Sequence, residues 1–279
     1  MIKWLRKVDL EEMVLIGHDE GWLIDLFELE RIQARFPHLC YGLYHENHLI
    51  GAITGYIHQK SAWIGNFIVR PENRHKGYGR RLFETLLKAL ETEKKSLYLN
   101  AAEPMVPFYR SFGFETVMDI ARVENGGRVP PFNFTSTQGK ELERVGAEAI
   151  ILKTDQAIFK ENRAVFLTED MPHKSSLRLV TDNGFLHSRV IGSRNVFIGP
   201  WETINGAYMD AEKMLRGVLY YRGLKNIVAD VPAASKEIME LYRMYNFETV
   251  STTYQMCKGE PIPFRYDSIY AFGSTGVCG

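Results

Sequence analysis

The sequence predicts an α/β protein in which one fold occurs twice. Residues 67–90 read as an apolar strand, a basic glycine loop and an amphipathic helix, so strand and helix alternate along the chain. Residues 108–117 and 241–250 form an internal repeat, with Tyr, Arg, Phe, Glu, Thr and Val identical in register. Because such identity is rare by chance, the repeat indicates two copies of a common fold.

Three strands are predicted ahead of the glycine loop. Residues 39–44 and 49–57 are apolar segments that flank Glu46 and Asn47, which is the pattern of a hairpin. Residues 63–69 follow as a further strand and lead into the loop. These strands would form the sheet on which the following helix packs.

The loop itself has the composition of a phosphate-binding site. Gly77 and Gly79 let the backbone approach a ligand closely, and the first helical turn contributes N–H groups and a positive dipole end. The loop differs from a dinucleotide fingerprint, since Leu82 stands where a third glycine is expected, and no Gly-Lys-Ser/Thr follows. Positive charge surrounds the glycines at Arg74, His75, Lys76, Arg80 and Arg81.

The segments after the loop complete the first copy. Residues 97–101 read as a buried strand, and residues 108–114 as a short helix that ends at a glycine cap. The helix that follows the loop carries an apolar stripe made of Leu82, Phe83, Leu86, Leu87 and Leu90. This stripe is expected to pack against the sheet.

The motif Arg-x-x-Gly-x-Gly at residues 74–79, together with Tyr109 just ahead of a Gly-Phe pair, resembles the GNAT superfamily of N-acetyltransferases. The resemblance covers residues 1–125 and implies a mixed, mostly antiparallel central sheet flanked by helices. It also implies that the loop holds the diphosphate of acetyl-CoA. The cofactor-binding residues are then expected to be Phe67, Ile68, Val69, Arg74, His75, Lys76, Gly77, Tyr78, Gly79 and Arg80. Family loops often have a glycine where this chain has His75.

The second half repeats the order of elements. Residues 177–180 and 185–191 flank Asp182-Asn183-Gly184 as a hairpin, and residues 195–198 match the strand before the loop. Residues 227–231 match the strand at 97–101. The matching helix stripe consists of Met214, Leu215, Val218 and Leu219. The second copy is therefore expected to be a second GNAT-like fold.

The phosphate cradle is absent from the second copy. Between Gly199 and Lys213 the chain has one glycine, no arginine or lysine, and the carboxylates Glu202, Asp210 and Glu212, which would repel a diphosphate. This arrangement is similar to bacterial-type acetyltransferases with an N-terminal catalytic GNAT domain and a C-terminal degenerate GNAT-like domain. We predict a catalytic domain at residues 1–125, a linker region at 126–145 and a degenerate domain at 146–279.

Acetyl transfer to an amine sets the chemistry that the site must supply. A primary amine with a pKa near 10 has to lose a proton before its nitrogen attacks the thioester. Glu103, just after a strand, is the predicted base, with a solvated turn carboxylate as the alternative. Other polar candidates for the base are Asn66, His18, Asp25 and Glu28. In the superfamily a backbone N–H of the strand before the loop, here residues 67–69, stabilises the oxyanion. Tyr109 occupies the position that the family uses for the acid that assists the leaving thiolate, with a core tyrosine whose hydroxyl is hydrogen-bonded as the alternative.

The acceptor side is less defined by the sequence. Asp25 and Glu28 fall in the segment that usually forms the acceptor wall in this superfamily and are predicted to bind a cationic amine, with a solvated helix face as the alternative. Asn100 is a candidate for ordering water near the base. The carboxylates of the second copy offer charge for the same purpose, with solvated surface as their alternative.

Composition limits the classes of partner. The chain has 279 residues with 34 basic and 34 acidic side chains, so no overall charge favours nucleic acid or an anionic membrane. The cysteines Cys40, Cys257 and Cys278 form no Cys-x-x-Cys and are expected to be core or tail thiols of a cytoplasmic protein. No histidine spacing suggests a metal, and no apolar run is long enough to cross a bilayer.

These observations predict an acetyl-CoA-dependent N-acetyltransferase that needs no metal and acts on the primary amine of a small molecule. Two alternatives stay open. One is an acyl-CoA-binding sensor or regulatory module without turnover, and the other is acetylation of proteins or peptides. Association into a homo-oligomer also stays open.

Overall fold

The computed structural model describes residues 1–273, which form two compact units. The first unit contains Met1–Asn100 and Cys257–Pro261, and the second contains Ala101–Met256 and residues 262–273. Both units are mixed α/β structures with mostly antiparallel sheets flanked by helices, as the sequence predicts. The fold class is therefore confirmed.

The first unit is a sheet with the order β1-β2-β3-β4-β5. In chain order its elements are β1 (Ile2–Trp4), α1 (Leu10–Asp19), α2 (Leu26–Arg35), β2 (Cys40–His45), β3 (His48–Ile57), β4 (Ser61–Val69), α3 (Tyr78–Glu91) and β5, which begins at Ser96 and ends at Ala102. All neighbouring strands are antiparallel except β4 and β5, which are parallel. A parallel pair requires a crossover connection, and α3 provides it.

Local sequence signals explain the elements of the first unit. Glu46 and Asn47 have positive φ angles of 48° and 66°, which a tight two-residue hairpin turn requires. The apolar stripe of α3, from Leu82 to Leu90, is buried, because one face of this amphipathic helix packs on the sheet. The predicted hairpin, the strand at 63–69 and the helix after the loop are confirmed.

The second unit repeats this order. It begins with α4 (Val106–Arg110), β6 (Glu115–Glu124), α5 (Ser136–Leu142) and α6 (Glu148–Phe159). The elements that repeat the first copy follow: β7 (Leu177–Val180), β8 (Gly184–Ile191), β9 (Asn195–Thr203), α7 (Tyr208–Arg222), β10 (Asn226–Pro232) and α8 (Lys236–Met244). The last strands are β11 (Glu248–Lys258), whose final residues lie in the first unit, and β12 (Ile269–Ala271). The strand order is β11-β6-β10-β9-β8-β7, and β12 pairs with β9.

The core of the second unit lies between its sheet and α7. Trp201, Met214, Leu215, Val218 and Tyr242 are among the fully buried members of this cluster. The hairpin β7–β8, the strand β9, the helix α7 and the parallel strand β10 occupy the positions predicted from the repeat. A second copy of the fold is therefore confirmed.

The compact units do not coincide with the sequence halves. Strand β6 follows the first copy of the repeat, yet it pairs antiparallel with β10 inside the second unit. Conversely, the end of β11 lies in the first unit, where Lys258 Nζ is 2.9 Å from Glu91 Oε1 and Ser96 Oγ donates to Glu260 O. The segment predicted as a linker includes α5, whose Leu142 lies in the core of the second unit. The domain boundaries at residues 125 and 146 stay a prediction.

The described residues also bear on the membrane, metal and cysteine predictions. Within residues 1–273 no helix has the length and apolarity needed to cross a membrane. The same residues hold no cluster of His, Cys, Asp or Glu side chains suited to a metal ion. Cys40 and Cys257 are buried thiols, which confirms the prediction for these two, and burial raises the pKa of Cys40 to about 12. Cys278 lies outside the described residues.

Candidate active site

The glycine loop begins α3 with its backbone exposed. Gly77 is the N-cap residue of the helix and adopts a left-handed conformation with φ of 77°. No described side chain caps this end of α3, so its first N–H groups are available to a ligand. A Cβ atom at Gly77 would meet no described atom within 4 Å apart from its chain neighbours, and at Gly79 the nearest would be Phe67 Cζ at 3.4 Å. The space beside Gly77 is therefore open, as an anion site at a helix N-terminus requires.

His75 has a backbone conformation that glycine favours. Its φ angle is 61°, in the left-handed region that glycine adopts most readily. Histidine is among the residues that tolerate this region better than most.

The basic side chains of the loop have specific partners. Arg74 Nε donates to the carbonyl oxygen of Val69 at 2.8 Å, and its Nη2 lies 2.7 Å from Glu20 Oε1. Lys76 Nζ donates to the backbone oxygen of Glu72 at 2.8 Å. Arg74 thus connects the loop to the end of β4 and to the turn after α1. Sequence reasoning missed Glu20 as a partner of the loop, and no local signal connects two residues so far apart in the chain.

Strand β4 contains a bulge just before the loop. The register between β3 and β4 shifts between Ala52 and Thr54, and Asn66 in the bulge has a positive φ of 50°. Asn66 Nδ2 donates to Thr54 Oγ1 at 3.0 Å, which in turn donates to the Gly65 carbonyl at 3.3 Å. The Asn66 side chain therefore holds the bulge in place.

The parallel pairing of β4 and β5 stops before this bulge. The ladder joins Ser61–Trp63 to Ser96–Tyr98, where the Trp63 and Tyr98 rings stack at 5.0 Å. Among the described strands, β4 has only β3 and β5 as neighbours. The later part of β4, including Phe67–Val69, therefore has one edge that is not used in a ladder with β5. Backbone groups on such an edge can pair with an extended ligand.

The predicted acceptor residues lie on or near the first two helices of this unit. Asp25 is the N-cap of α2, and its Oδ1 accepts a hydrogen bond from Phe27 N at 3.0 Å. Glu28 lies in the first turn of the same helix and is half-buried. His18 is exposed near the end of α1. Asp25 therefore has a capping function, whatever its further role.

The predicted acid and base lie in the second unit. Tyr109 in α4 is 7% exposed, and its ring contacts Phe108 at 5.3 Å and Phe114 at 6.4 Å between centroids. Burial raises the pKa of its hydroxyl well above the usual value, so the group stays protonated at neutral pH. Glu103 is exposed at the start of a 3-10 turn, Glu103–Met105.

The carboxylates of the second copy differ from the sequence-based expectation. Glu202 is fully buried and lies 3.3 Å from the guanidinium of Arg163, while Glu212 is buried and accepts from Arg216 at 2.6 Å. Reading these two as solvated charges is therefore wrong, because each is buried beside an arginine: Glu202 beside the distant Arg163, and Glu212 beside Arg216 one turn further along α7. Asp210, near the start of α7, accepts from Asn183 Nδ2 at 2.7 Å.

Sequence profiles of two acetyltransferase groups match the chain. The profile of the acetyltransferase (GNAT) family matches residues 5–114, and that of an acetyltransferase (GNAT) domain matches residues 151–271. A UPF0039 protein of Schizosaccharomyces pombe is 40% identical over 74 residues, which are 24% of this chain and 47% of that protein. The match thus spans less than half the length of this curated relative.

Solved structures share the architecture over nearly the whole chain. A candidate acetyltransferase from Pyrococcus horikoshii has a TM-score of 0.81 at 20% identity, covering 99% of this chain and 94% of that one. A GCN5-related N-acetyltransferase from Sphaerobacter thermophilus has a TM-score of 0.61 at 11% identity, covering 98% of this chain and 96% of that one. Because the sequence identities are this low, the comparison with these structures shows a shared fold and nothing more specific.

Proposed function

Because the chain belongs to the acetyltransferase (GNAT) family and carries two such domains in tandem, we propose that its first domain acetylates the primary amine of a small molecule, with acetyl-CoA as donor. The observation that carries this proposal is the glycine loop, where the uncapped N-terminus of α3 and the open space beside Gly77 fit a diphosphate. The corresponding loop of the second copy has a single glycine, Gly206, and no arginine or lysine.

The residues present fit acetyl-CoA at both ends of the proposed site. Backbone N–H groups of Gly77–Arg80 would bind the diphosphate, with positive charge from Lys76 and Arg80 nearby. The edge of β4 at Phe67–Val69 would pair with the amides of the pantetheine arm. When bound, acetyl-CoA supplies an acetyl group on a thioester, which is activated toward a nucleophilic nitrogen.

The chain would then contribute three functions to the transfer. Glu103, acting through water, would take a proton from the ammonium form of the acceptor. A backbone N–H of Phe67–Val69 would stabilise the oxyanion that forms when the amine nitrogen attacks the carbonyl carbon. As the C–S bond breaks, the Tyr109 hydroxyl would donate to the thiolate sulfur. Since burial raises the pKa of Tyr109, hydrogen bonding to the thiolate is favoured over complete proton transfer.

The acceptor is proposed to be a small cationic amine. Asp25 and Glu28 place two carboxylates near the start of α2, in the segment that forms the acceptor wall in the family. Negative charge at this place would attract a protonated amine before it loses its proton.

A thiol-release assay with acetyl-CoA and a panel of small amines and peptides tests this proposal. We expect turnover with at least one small primary amine and none with peptides. Turnover only with peptides would move the acceptor class to proteins. Tight binding of acetyl-CoA in calorimetry, without turnover on any member of a broad panel, would favour a sensor over an enzyme.

A further inference from the structure

The sheet of the second unit has the same interruption as that of the first. The register between β8 and β9 shifts between Leu186 and Ser188, which places a bulge at Gly199 and Pro200. The parallel ladder of β9 and β10 ends at Ile198 and Ala229, directly ahead of this bulge. In both copies, therefore, the strand before the loop has an edge beyond the bulge that is not paired with the next parallel strand.

In the second unit this edge is occupied by the chain itself. Strand β12 pairs antiparallel with β9 beyond the bulge, with Ile269 opposite Glu202 and Ala271 opposite Trp201. On its other side Phe272 N donates to the carbonyl oxygen of Asp230 in β10 at 2.9 Å. Residues 269–272 thus lie between β9 and β10 where the ladder between these strands has ended, and none is more than 1% exposed.

The same segment has polar contacts at the loop and at the repeat tyrosine. At one end, Asn205 Nδ2, in the loop between β9 and α7, donates to the carboxylate of Asp267 at 2.6 Å. At the other end, the Tyr242 hydroxyl donates to the carbonyl oxygen of Tyr270 at 3.0 Å. Tyr242 is the counterpart of Tyr109 in the repeat, and the loop is the counterpart of the glycine loop. Residues 267–272 therefore connect the two features that the proposed cofactor site uses in the first copy.

The backbone of Gly199 makes this placement possible. Its φ is 150°, and a Cβ atom there would lie 1.8 Å from the carbonyl oxygen of Phe272. Any other residue at position 199 would clash with the segment. The rings of Trp201 and Tyr270 also pack at 4.9 Å between centroids.

We propose that residues 267–272 are an intramolecular ligand that fills the cleft of the second domain corresponding to the cofactor cleft of the first. The carboxylate of Asp267 takes the place of the diphosphate, the backbone of β12 that of the pantetheine arm, and the Tyr270 carbonyl that of the thioester. The role of Tyr242 is then to hold this segment in place through its hydrogen bond to the Tyr270 carbonyl. The likeness to a cofactor cleft rests on the proposed function, whereas the occupancy of the cleft does not.

The occupant is expected to stay in place. Removing it would expose four buried residues to water and would leave the Asp230 carbonyl and the Tyr242 hydroxyl without their partners. The second domain therefore binds no acetyl-CoA, and the full chain binds one molecule.

Calorimetry and hydrogen exchange on the full chain test this proposal together. We expect coenzyme A to bind with a stoichiometry of one, and the amides of residues 269–272 to be protected equally with and without it. A stoichiometry of two, or coenzyme A-induced loss of protection in these residues, would overturn it. A stoichiometry of zero with protection intact would support the occupied cleft and would contradict the proposed cofactor site in the first domain.

A matched pair of variants probes the contact directly. Gly199→Ala introduces the clash with Phe272, while Gly192→Ala places a side chain at another positive φ in the same unit, where no described atom lies within 4 Å of it apart from chain neighbours. We expect at least a tenfold loss of protection at residues 269–272 in Gly199→Ala only. Equal protection in both variants would contradict the proposal. If Gly199→Ala does not fold, the exchange measurement on the unaltered chain decides.

Discussion

The guanidinium of Arg74 lies 2.7 Å from the carboxylate of Glu20, so an ion pair joins the glycine loop to the turn after α1. The same guanidinium also donates to the Val69 carbonyl, which orients it along the end of β4. In the proposed function, Arg74 would divide its charge between Glu20 and the diphosphate bound at the loop. Cofactor binding would then be linked to the position of the turn ahead of α2.

Replacing Glu20 by glutamine is expected to strengthen binding of coenzyme A. The substitution removes a negative charge near the diphosphate and frees Arg74 from a competing partner. Because partly exposed ion pairs contribute up to about 1 kcal/mol, the affinity should rise by about fivefold at most. Calorimetry at low and high salt measures this effect, which should shrink as salt increases. Glu11→Gln, on the exposed face of α1, is the control, and a weaker affinity in Glu20→Gln would mean that Glu20 positions the loop instead.

Position 79 should distinguish steric from electrostatic demands of the loop. In Gly79→Ala the added Cβ would lie 3.4 Å from Phe67 Cζ, an ordinary contact, so binding of coenzyme A should change little. Gly79→Asp adds a negative charge at the N-terminus of α3, next to the proposed diphosphate. We expect its affinity to fall at least tenfold, or about 1.4 kcal/mol. Equal affinity of the two variants by calorimetry would remove the basis for placing the cofactor here.

His75 should act through its backbone. Since His75 has φ of 61°, His75→Gly should keep the loop conformation and the coenzyme A affinity within about twofold. His75→Val should destabilise the loop by about 1–2 kcal/mol, because a β-branched residue disfavours this region. Chemical denaturation and calorimetry on the two variants measure both effects. A large loss of affinity in His75→Gly would instead assign a phosphate contact to the imidazole.

The two tyrosines of the repeat should respond differently to removal of the hydroxyl. Tyr109→Phe is expected to slow turnover by about a hundredfold, the usual contribution of a hydrogen-bond donor to charge that develops in the transition state. Tyr242→Phe removes the hydrogen bond to the Tyr270 carbonyl and should cost about 1 kcal/mol of stability while the rate stays near wild type. Steady-state kinetics with thermal denaturation on both variants compares them. Similar kinetic losses at both positions would contradict a single catalytic domain.

His187 should make the stability of the second unit depend on pH. Burial, assisted by the charges of Arg189, Arg178 and Arg222, lowers the pKa of His187 to about 3, although its hydrogen bond with the Gly199 carbonyl opposes this. An unfolded chain takes up a proton on this residue below about pH 6.5, whereas the folded chain does so only near pH 3. The stability that the neutral His187 gives the folded chain is therefore fully present above pH 6.5, and it is lost as the pH falls from 6.5 toward 3.

Chemical denaturation of the His187→Gln variant and of the unaltered chain, each at several pH values, measures this contribution. Between pH 7 and pH 5 the unaltered chain should lose about 2 kcal/mol more stability than the variant, because each pH unit below 6.5 costs about 1.4 kcal/mol. Parallel pH profiles of the two proteins would show that His187 does not stay neutral in the folded state.

Local patterns were sufficient to predict most of the elements. The stripe of α3, the Glu46-Asn47 turn and the position of Gly77 follow from helix periodicity and from backbone preferences, which act over a few residues. The repeat around Tyr109 and Tyr242 was visible for a different reason, since it compares the chain with itself. Both copies of the fold could therefore be predicted from the sequence.

The sequence by itself determined most of the strands and helices and their order, because those choices depend on near neighbours along the chain, although it placed α5 within a predicted linker. Tertiary structure alone decided which distant groups meet: Glu20 with Arg74, Glu202 with Arg163, and Tyr242 with the Tyr270 carbonyl. The sequence does not distinguish a solvated aspartate or glutamate from one that is buried beside an arginine, because strand register and packing decide which partner it meets. For that reason the occupied cleft of the second unit and the ion pair at the glycine loop could be found only in the folded chain.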